Sequence, residues 1–234
     1  MSSSKTILVT WDIDGTLIYG ADEAVELHRL AFKQGCEEIF GKPCDIPAKF
    51  LQISTNGFMD QQILKLMIKK LGFDPTVDNM TRTIQRMEEI FVQNCNVVPT
   101  IPPGVENALE ALYKMPNVII GIASGNWPAI AWHKLSLAKI DRYFKRDNIA
   151  ELGYFDDRKD ALNKARNDAE KLKGQKIDVF IHVGDTPHDQ KAASEANFIP
   201  VIVETGQNKY DYPEGTIIFS NLENCKDEFM KLFD

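Results

Sequence analysis

The chain is poor in the features that mark several large classes of protein. Its four cysteines, Cys36, Cys44, Cys95 and Cys225, are scattered through 234 residues without a C-x-x-C pair. That spacing suggests neither a zinc site nor a disulfide framework, and the four read as reduced, partly buried thiols. Basic residues are also in the minority: 27 Lys and Arg against 34 Asp and Glu give a net charge of −7, with no Lys/Arg block. Nucleic acid and an anionic membrane are therefore disfavoured as main partners, and positive charge has to be placed residue by residue. Long apolar runs are missing too. The brief run after Lys5 is too short for a signal-peptide core and no later segment approaches a membrane span, so a soluble cytoplasmic protein is expected. There is no internal repeat, and low complexity is confined to Ser2–Ser4.

What remains is ordinary globular material, 44% hydrophobic, long enough for one large domain or one domain with an insertion. Its most informative stretch is Ile7 to Leu17, ILVTWDIDGTL. Ile7, Leu8 and Val9 read as a short strand buried on both faces, and the chain breaks at Asp12. Two aspartates, Asp12 and Asp14, then stand in a loop at the strand's carboxyl end, where open α/β sheets bind ligands. A plain Asx-type turn would use the same residue types. A calcium loop would not fit, because position six is Leu17 where the sharp turn needs glycine, and a strand precedes it instead of a helix.

After Leu17 the apolar period becomes helical. Leu27, Leu30, Ala31 and Phe40 mark a first helix, stopped by Gly41-Lys42-Pro43; Met59, Ile63, Leu66, Met67 and Leu71 mark a second; Met80, Ile84, Met87, Phe91 and Cys95 mark a third. Successive amphipathic helices without an intervening strand form an all-α insert. Pro99 to Gly104 is the clearest linker, and beyond it strands and helices alternate. Buried strands are expected at Val118–Ala123 and Ile177–Val183, shorter ones near Ile149–Leu152, Ile199–Val203 and Ile217–Phe219, with helices between and a terminal helix. The fold class is therefore α/β: a Rossmann-like parallel sheet core, residues 1–17 and 99–234, with an inserted α-helical cap, residues 18–98.

Three strands end in polar punctuation: Asp12-Ile13-Asp14, Ser124-Gly125-Asn126, and Gly184-Asp185 with Asp189 four residues on. The carboxyl ends of parallel strands share one edge, so these groups converge. Four acids together would repel unless a cation neutralised them, and oxygen ligands on short loops suit Mg²⁺. Ser124 with the backbone N–H groups of Gly125 and Asn126 makes an anion cradle at a helix start, although a simple cap would use the same residues. Arg158 or Lys159, at the start of a later helix, can add the positive charge a phosphate dianion needs. Of the histidines, His182 in the third strong strand reads as core and His188 lies near the proposed site. Trp127, Trp132 and His133 read as packing, and His28, Arg29, Asn56 and Asp60 are cap residues able to face the crevice.

D-x-D-G-T-L after a strand, a later S-G-N, a basic residue opening a helix, and G-D-T-x-x-D after a final strong strand resemble, in order, the four motifs of the haloacid dehalogenase-like superfamily. The resemblance covers the core, and the helical insert stands where that family carries its smaller helical cap. It implies Asp12 as the nucleophile that forms an aspartyl-phosphate and Asp14 as general acid and base. It implies Mg²⁺ held by Asp12, the main-chain carbonyl of Asp14 and Asp185, with Asp189 supporting these ligands from behind. It also implies phosphate held by Ser124, Gly125, Asn126 and Arg158, and a small phosphorylated metabolite as substrate. The third motif departs from the family's Lys-Pro, showing Asp157-Arg158-Lys159-Asp160, so the working base stands open between Arg158 and Lys159. An acid at Asp14 implies a phosphatase or a sugar phosphomutase in place of a dehalogenase. A phosphometabolite-binding module without turnover is the reading from a different class, disfavoured by the intact set Asp12, Asp14, Ser124 and Asp185.

Overall fold

The computed structural model describes residues 5–20, 22–205 and 209–233; the Ser2–Ser4 tract lies outside them. In chain order the elements are β1 (Ile7–Trp11), α1 (Glu23–Phe40), α2 (Pro47–Leu51), α3 (Asp60–Lys70), α4 (Val77–Asn94), α5 (Val105–Tyr113), β2 (Val118–Ser124), α6 (Pro128–Leu137), α7 (Arg142–Lys145), β3 (Ile149–Leu152), α8 (Arg158–Lys173), β4 (Val179–Gly184), α9 (Pro187–Glu195), β5 (Ile199–Val203), β6 (Ile217–Phe219) and α10 (Lys226–Met230).

Among the described residues the strands form one six-stranded sheet in the order β3-β2-β1-β4-β5-β6, and every pairing is parallel. β1 is central. It pairs Val9 with Ile120 on one side and with Ile181 on the other, and all five of its residues are buried, as a doubly covered strand requires. Alternation then sorts its side chains: Ile7, Val9 and Trp11 join the cluster containing Leu109, Ala131 and Phe229, whereas Leu8 joins Leu162, Ala165 and Ala193 beneath α8 and α9. Because β2, β1 and β4 run the same way, Ser124, Asp12 and Asp185 arrive at one edge of the sheet.

The stripes expected for the insert are largely buried: Ile63, Met67, Met80, Ile84, Met87 and Phe91 share one cluster with Ala31, Phe32 and Cys36, whereas Leu30 and Leu66, expected in the same stripes, are exposed. That cluster also contains Trp127 and Ile130, both fully buried, which lie on the far side of the linker. The insert is thus seated on the start of α6, and Glu88 of α4 accepts from the Ala129 N–H (2.9 Å). The two chain crossings are tied together, with Tyr19 N–H donating to Thr100 O (3.0 Å) and Thr100 N–H to Asp22 Oδ2 (2.8 Å).

Two local features differ from the sequence reading. Two short helices, α2 and α7, were not expected, since four or five residues are too few to show a period. The third strong strand begins at Val179, two residues later than Ile177, because Asp178 is tied to the backbone of Thr6: its Oδ2 accepts from Thr6 N–H (2.7 Å) and its own N–H donates to Thr6 O (2.9 Å). The helix after Ser124-Gly125-Asn126 starts at Pro128 and ends at Leu137, as the sequence reading has it, with Trp127 as its cap residue and Gly125 and Asn126 in the loop before it.

Candidate active site

The loop after β1 is shaped by Gly15. Its φ of +92° is a left-handed conformation, and a Cβ there would lie 2.2 Å from Asp185 Oδ2. Only glycine lets the two loops approach this closely. One oxygen each from Asp12, Asp185 and Asp189 falls within 4.8 Å of the others. All three residues are buried.

The charges around them are arranged unequally. Arg158, buried and at the first residue of α8, places Nη1 3.0 Å from Asp12 Oδ1 and 3.0 Å from Asp189 Oδ1, and donates to Ala123 O (3.1 Å). Burial would lower its pKa, but the carboxylates of Asp12 and Asp189 outweigh that and keep it firmly charged. Lys159 is not among the cavity-lining residues, and its backbone N–H goes to Asp157 Oδ1, the cap of α8. Of the two bases left open by the sequence, Arg158 is the one that faces the cavity. Asp189 is saturated: Oδ1 faces Arg158 and His182 Nε2 (3.2 Å), while Oδ2 accepts from the backbone N–H (3.1 Å) and hydroxyl of Thr186. Although burial would raise its pKa, Arg158 and His182 hold it well below the usual carboxylate range. His182, expected as a core residue, is buried as such, and it also bridges Thr10 Oγ1 (3.0 Å) to Asp189.

Asp185 is the opposite case. Burial pushes its carboxyl well up, and Asp189 and Asp12 push it further. Its Oδ1 is buried and has no hydrogen-bond partner among the described residues. A carboxyl forced towards neutrality beside two more acids, with an orphaned oxygen, is the donor set a hard cation would satisfy. The residues fit a metal.

Asp14 lies in a different setting. Asn126 Nδ2 donates to its Oδ2 (3.1 Å) and to Ser124 Oγ (3.2 Å), and Lys134 Nζ reaches both carboxylate oxygens (2.9 and 2.7 Å). Burial would raise the Asp14 pKa, but Lys134 and His28 pull it below its ordinary value. Asp12 goes the other way: burial raises it, and Arg158 only partly offsets that.

Lys134 is absent from the sequence reading. Its signal was nonetheless visible, because Trp127, Ile130, Ala131 and Leu135 make the buried stripe of α6 and Lys134 occupies a position in that stripe.

The cavity above these groups has an empty volume of about 850 Å³ including its open mouth. Asp12, Asp14, Ser124, Gly125, Asn126, Arg158 and Asp185 form its floor, and Asp189 sits behind them. Val25, Phe32, Phe58 and Ile63 form its apolar roof, and the four cap residues singled out from the sequence, His28, Arg29, Asn56 and Asp60, all line it. His188 does not line it and packs edge-on against Phe58 at 5.2 Å. The insert closes tightly on the floor: Asp60 N–H donates to Gly125 O (3.1 Å), and a Cβ on Gly125 would lie 2.8 Å from Phe58 O.

The family model of haloacid dehalogenase-like hydrolases matches residues 9–203. The chain belongs to this family. The match spans all four motifs, from β1 to β5. Among curated proteins none matches the sequence at a significant level. Solved structures share the haloacid dehalogenase-like fold along nearly the whole chain. A β-phosphoglucomutase from Clostridium difficile superposes with a TM-score of 0.70 at 16% identity, covering 98% of this chain and 96% of that one. A predicted phosphoglycolate phosphatase from Haemophilus somnus gives 0.64 at 19% identity, covering 98% and 99%. A mutant of CbbY from Rhodobacter sphaeroides, in complex with xylulose-(1,5)bisphosphate, gives 0.68 at 13% identity, covering 94% and 95%. Among the described residues no helix is long and apolar enough to cross a membrane.

Proposed function

We propose that the chain is a Mg²⁺-dependent phosphatase acting on a small phosphorylated metabolite, with residues 1–17 and 99–234 as catalytic core and residues 18–98 as cap. The observation that carries this reading is the convergence of Asp12, Asp185 and Asp189 oxygens within 4.8 Å beside the Arg158 guanidinium, on the floor of a roofed cavity. Asp12 and Asp185, with the main-chain carbonyl of Asp14, would hold the ion, and Asp189 would fix Arg158 from behind. When bound, the ion neutralises phosphoryl charge and orients the group for in-line attack.

The residues themselves then divide the work. A carboxylate oxygen of Asp12 attacks phosphorus, the ester P–O bond breaks, and Asp14 gives its proton to the leaving oxygen. Water then attacks phosphorus, Asp14 takes the water's proton, and the P–O bond to Asp12 breaks to release inorganic phosphate and restore the carboxylate. The lowered pKa of Asp14 favours the ionised form that the water step requires, and the proton it takes from water is the one it gives to the leaving oxygen of the next turnover. Ser124, the Gly125–Asn126 loop and Arg158 would hold the phosphate oxygens throughout. The roof made by Val25, Phe32 and Phe58 sheds bulk water from the phosphoryl group and leaves room for a leaving group of metabolite size.

The test is phosphate release from sugar phosphates, phosphoglycolate, nucleotides and an aryl phosphate, with Mg²⁺ and with chelator. The reading expects Mg²⁺-dependent release that falls by roughly 10⁴-fold or more in Asp12→Asn, since the covalent route is removed. Release from no ester by the folded wild type, or phosphate retained on an isomerised sugar, would contradict it.

A further inference from the structure

Lys134 combines two properties that rarely coincide. It is fully buried on a helix of the core, and its ammonium ends at the acid–base aspartate and at the Asn126 side chain beside it. An ammonium has three protons and accepts none. Here three residues surround it: Asp14 (2.7 and 2.9 Å), Asn126 Oδ1 (2.7 Å) and His28 Nδ1 (3.2 Å). Each contact has a consequence. Occupying Asn126 Oδ1 turns the amide so that Nδ2 faces both Asp14 and Ser124. From His28 the contacts run on within the cap, its Nε2 lying 3.1 Å from Asp60 Oδ2. Asp60 in turn accepts from Trp127 N–H (3.1 Å), one residue beyond Asn126. The ring of contacts therefore closes on the loop it began from, and it includes two cap residues, His28 and Asp60.

We propose that Lys134 is the positioning residue for Asp14, fixing its carboxylate and the Asn126 amide in one arrangement whose third acceptor is supplied by the cap. The proposal rests on the phosphatase reading. Arg158 already serves Asp12 and Asp189, so removing Lys134 leaves the attacking half of the site intact. The defect should then be largest where a proton moves.

That asymmetry gives the experiment. Steady-state and burst kinetics are measured for wild type, Lys134→Met, Asp14→Asn and the double variant, using p-nitrophenyl phosphate and a sugar phosphate that wild type cleaves. An aryl oxide leaves without a proton, so the nitrophenol burst of Lys134→Met is expected to fall by less than about threefold. Its steady-state turnover of the sugar phosphate falls by roughly 100-fold, with KM changed less than about threefold. In the Asp14→Asn background the same substitution costs less than about twofold, because the residue it positions has already lost its function. If Lys134→Met does not fold, Lys134→Gln, which keeps N–H donors without the charge, replaces it in the same cycle. Wild-type turnover in the variant, equal losses of burst and turnover on both esters, or full additivity with Asp14→Asn would overturn the proposal while leaving the phosphatase reading in place. A wild type that cleaves no ester would overturn both.

Discussion

Asp12 and Asp14 are two residues apart in one loop, yet their surroundings are opposed. Asp12 lies among acids, Asp185 and Asp189, with one shared guanidinium, and burial pushes its carboxyl up. Asp14 lies among donors, Lys134 and Asn126, and is pulled down despite burial. The first environment has an excess of negative charge that asks for a cation; the second is already neutralised. The two also differ in what holds them. The groups around Asp12 come from the ends of β1 and β4 and the starts of α8 and α9, all core elements, with Arg158 donating to the insert at Gly57 O (3.4 Å). The groups around Asp14 depend on α6, where the insert is seated, and on His28 of α1. Adjacent positions in a strand-end loop thus give one carboxylate to the sheet and the other to the junction with the cap.

Breaking the Asp12 side should cost most. Arg158→Met leaves Asp12 and Asp189 buried without their cation, and breaking a buried pair in this way costs about 3–5 kcal/mol. Urea unfolding is expected to show that loss, together with loss of turnover on every ester. A stability change under about 1 kcal/mol would mean that the carboxylates find other partners. On the Asp14 side the corresponding blow is Trp127→Ala. Its ring fills the insert's cluster, and truncating a buried aromatic costs about 3–5 kcal/mol. Hydrogen exchange should quicken in α1 and α4 more than in β1 and β4, which would separate the two halves directly. Uniform quickening would show that they unfold as one.

The smallest effect removes a background that both halves share. Glu151 on β3 is pushed up by burial, and by Asp168 against the pull of Lys164, to a pKa of about 7. Its ordinary value is 4.5. A carboxyl raised in the folded state adds stability that is complete below its unfolded value and is lost as pH rises through the folded one. The wild-type melting temperature should therefore fall between these two pH values relative to Glu151→Gln. At pH 8 the variant is expected to melt about 2–4 °C higher, corresponding to roughly 1 kcal/mol. Parallel pH curves for the two proteins would contradict the assignment.

Much of this contrast was legible in the sequence, and the part that was not has a physical reason. The buried run Ile7 to Val9, the strand ends at Asp12, Ser124 and Asp185, and the helical stripe Met80, Ile84, Met87 and Phe91 follow from period and punctuation alone. The Asp12 half was found because its parts stand at strand ends and helix starts, where topology brings them together. Arg158 and Lys159 could not be separated, since which one turns inward depends on where α8 begins, and Asp157 sets that by capping it. Lys134 was missed for a different reason. It lies mid-helix, seven residues beyond Trp127, and a lysine is read as solvated by its type even where the period turns it towards the packing of the cap on α6. The same packing explains why Trp127 and Ile130 belong to the insert's cluster although they lie beyond the linker.

The central claim is that Asp12 becomes covalently phosphorylated. Acid quench of a single turnover with labelled ester, followed by peptide mapping, measures it directly. The account predicts label on the peptide containing Asp12 in the wild type and none in Asp12→Asn. Phosphate release without any trapped label, or label on a different residue, would contradict it.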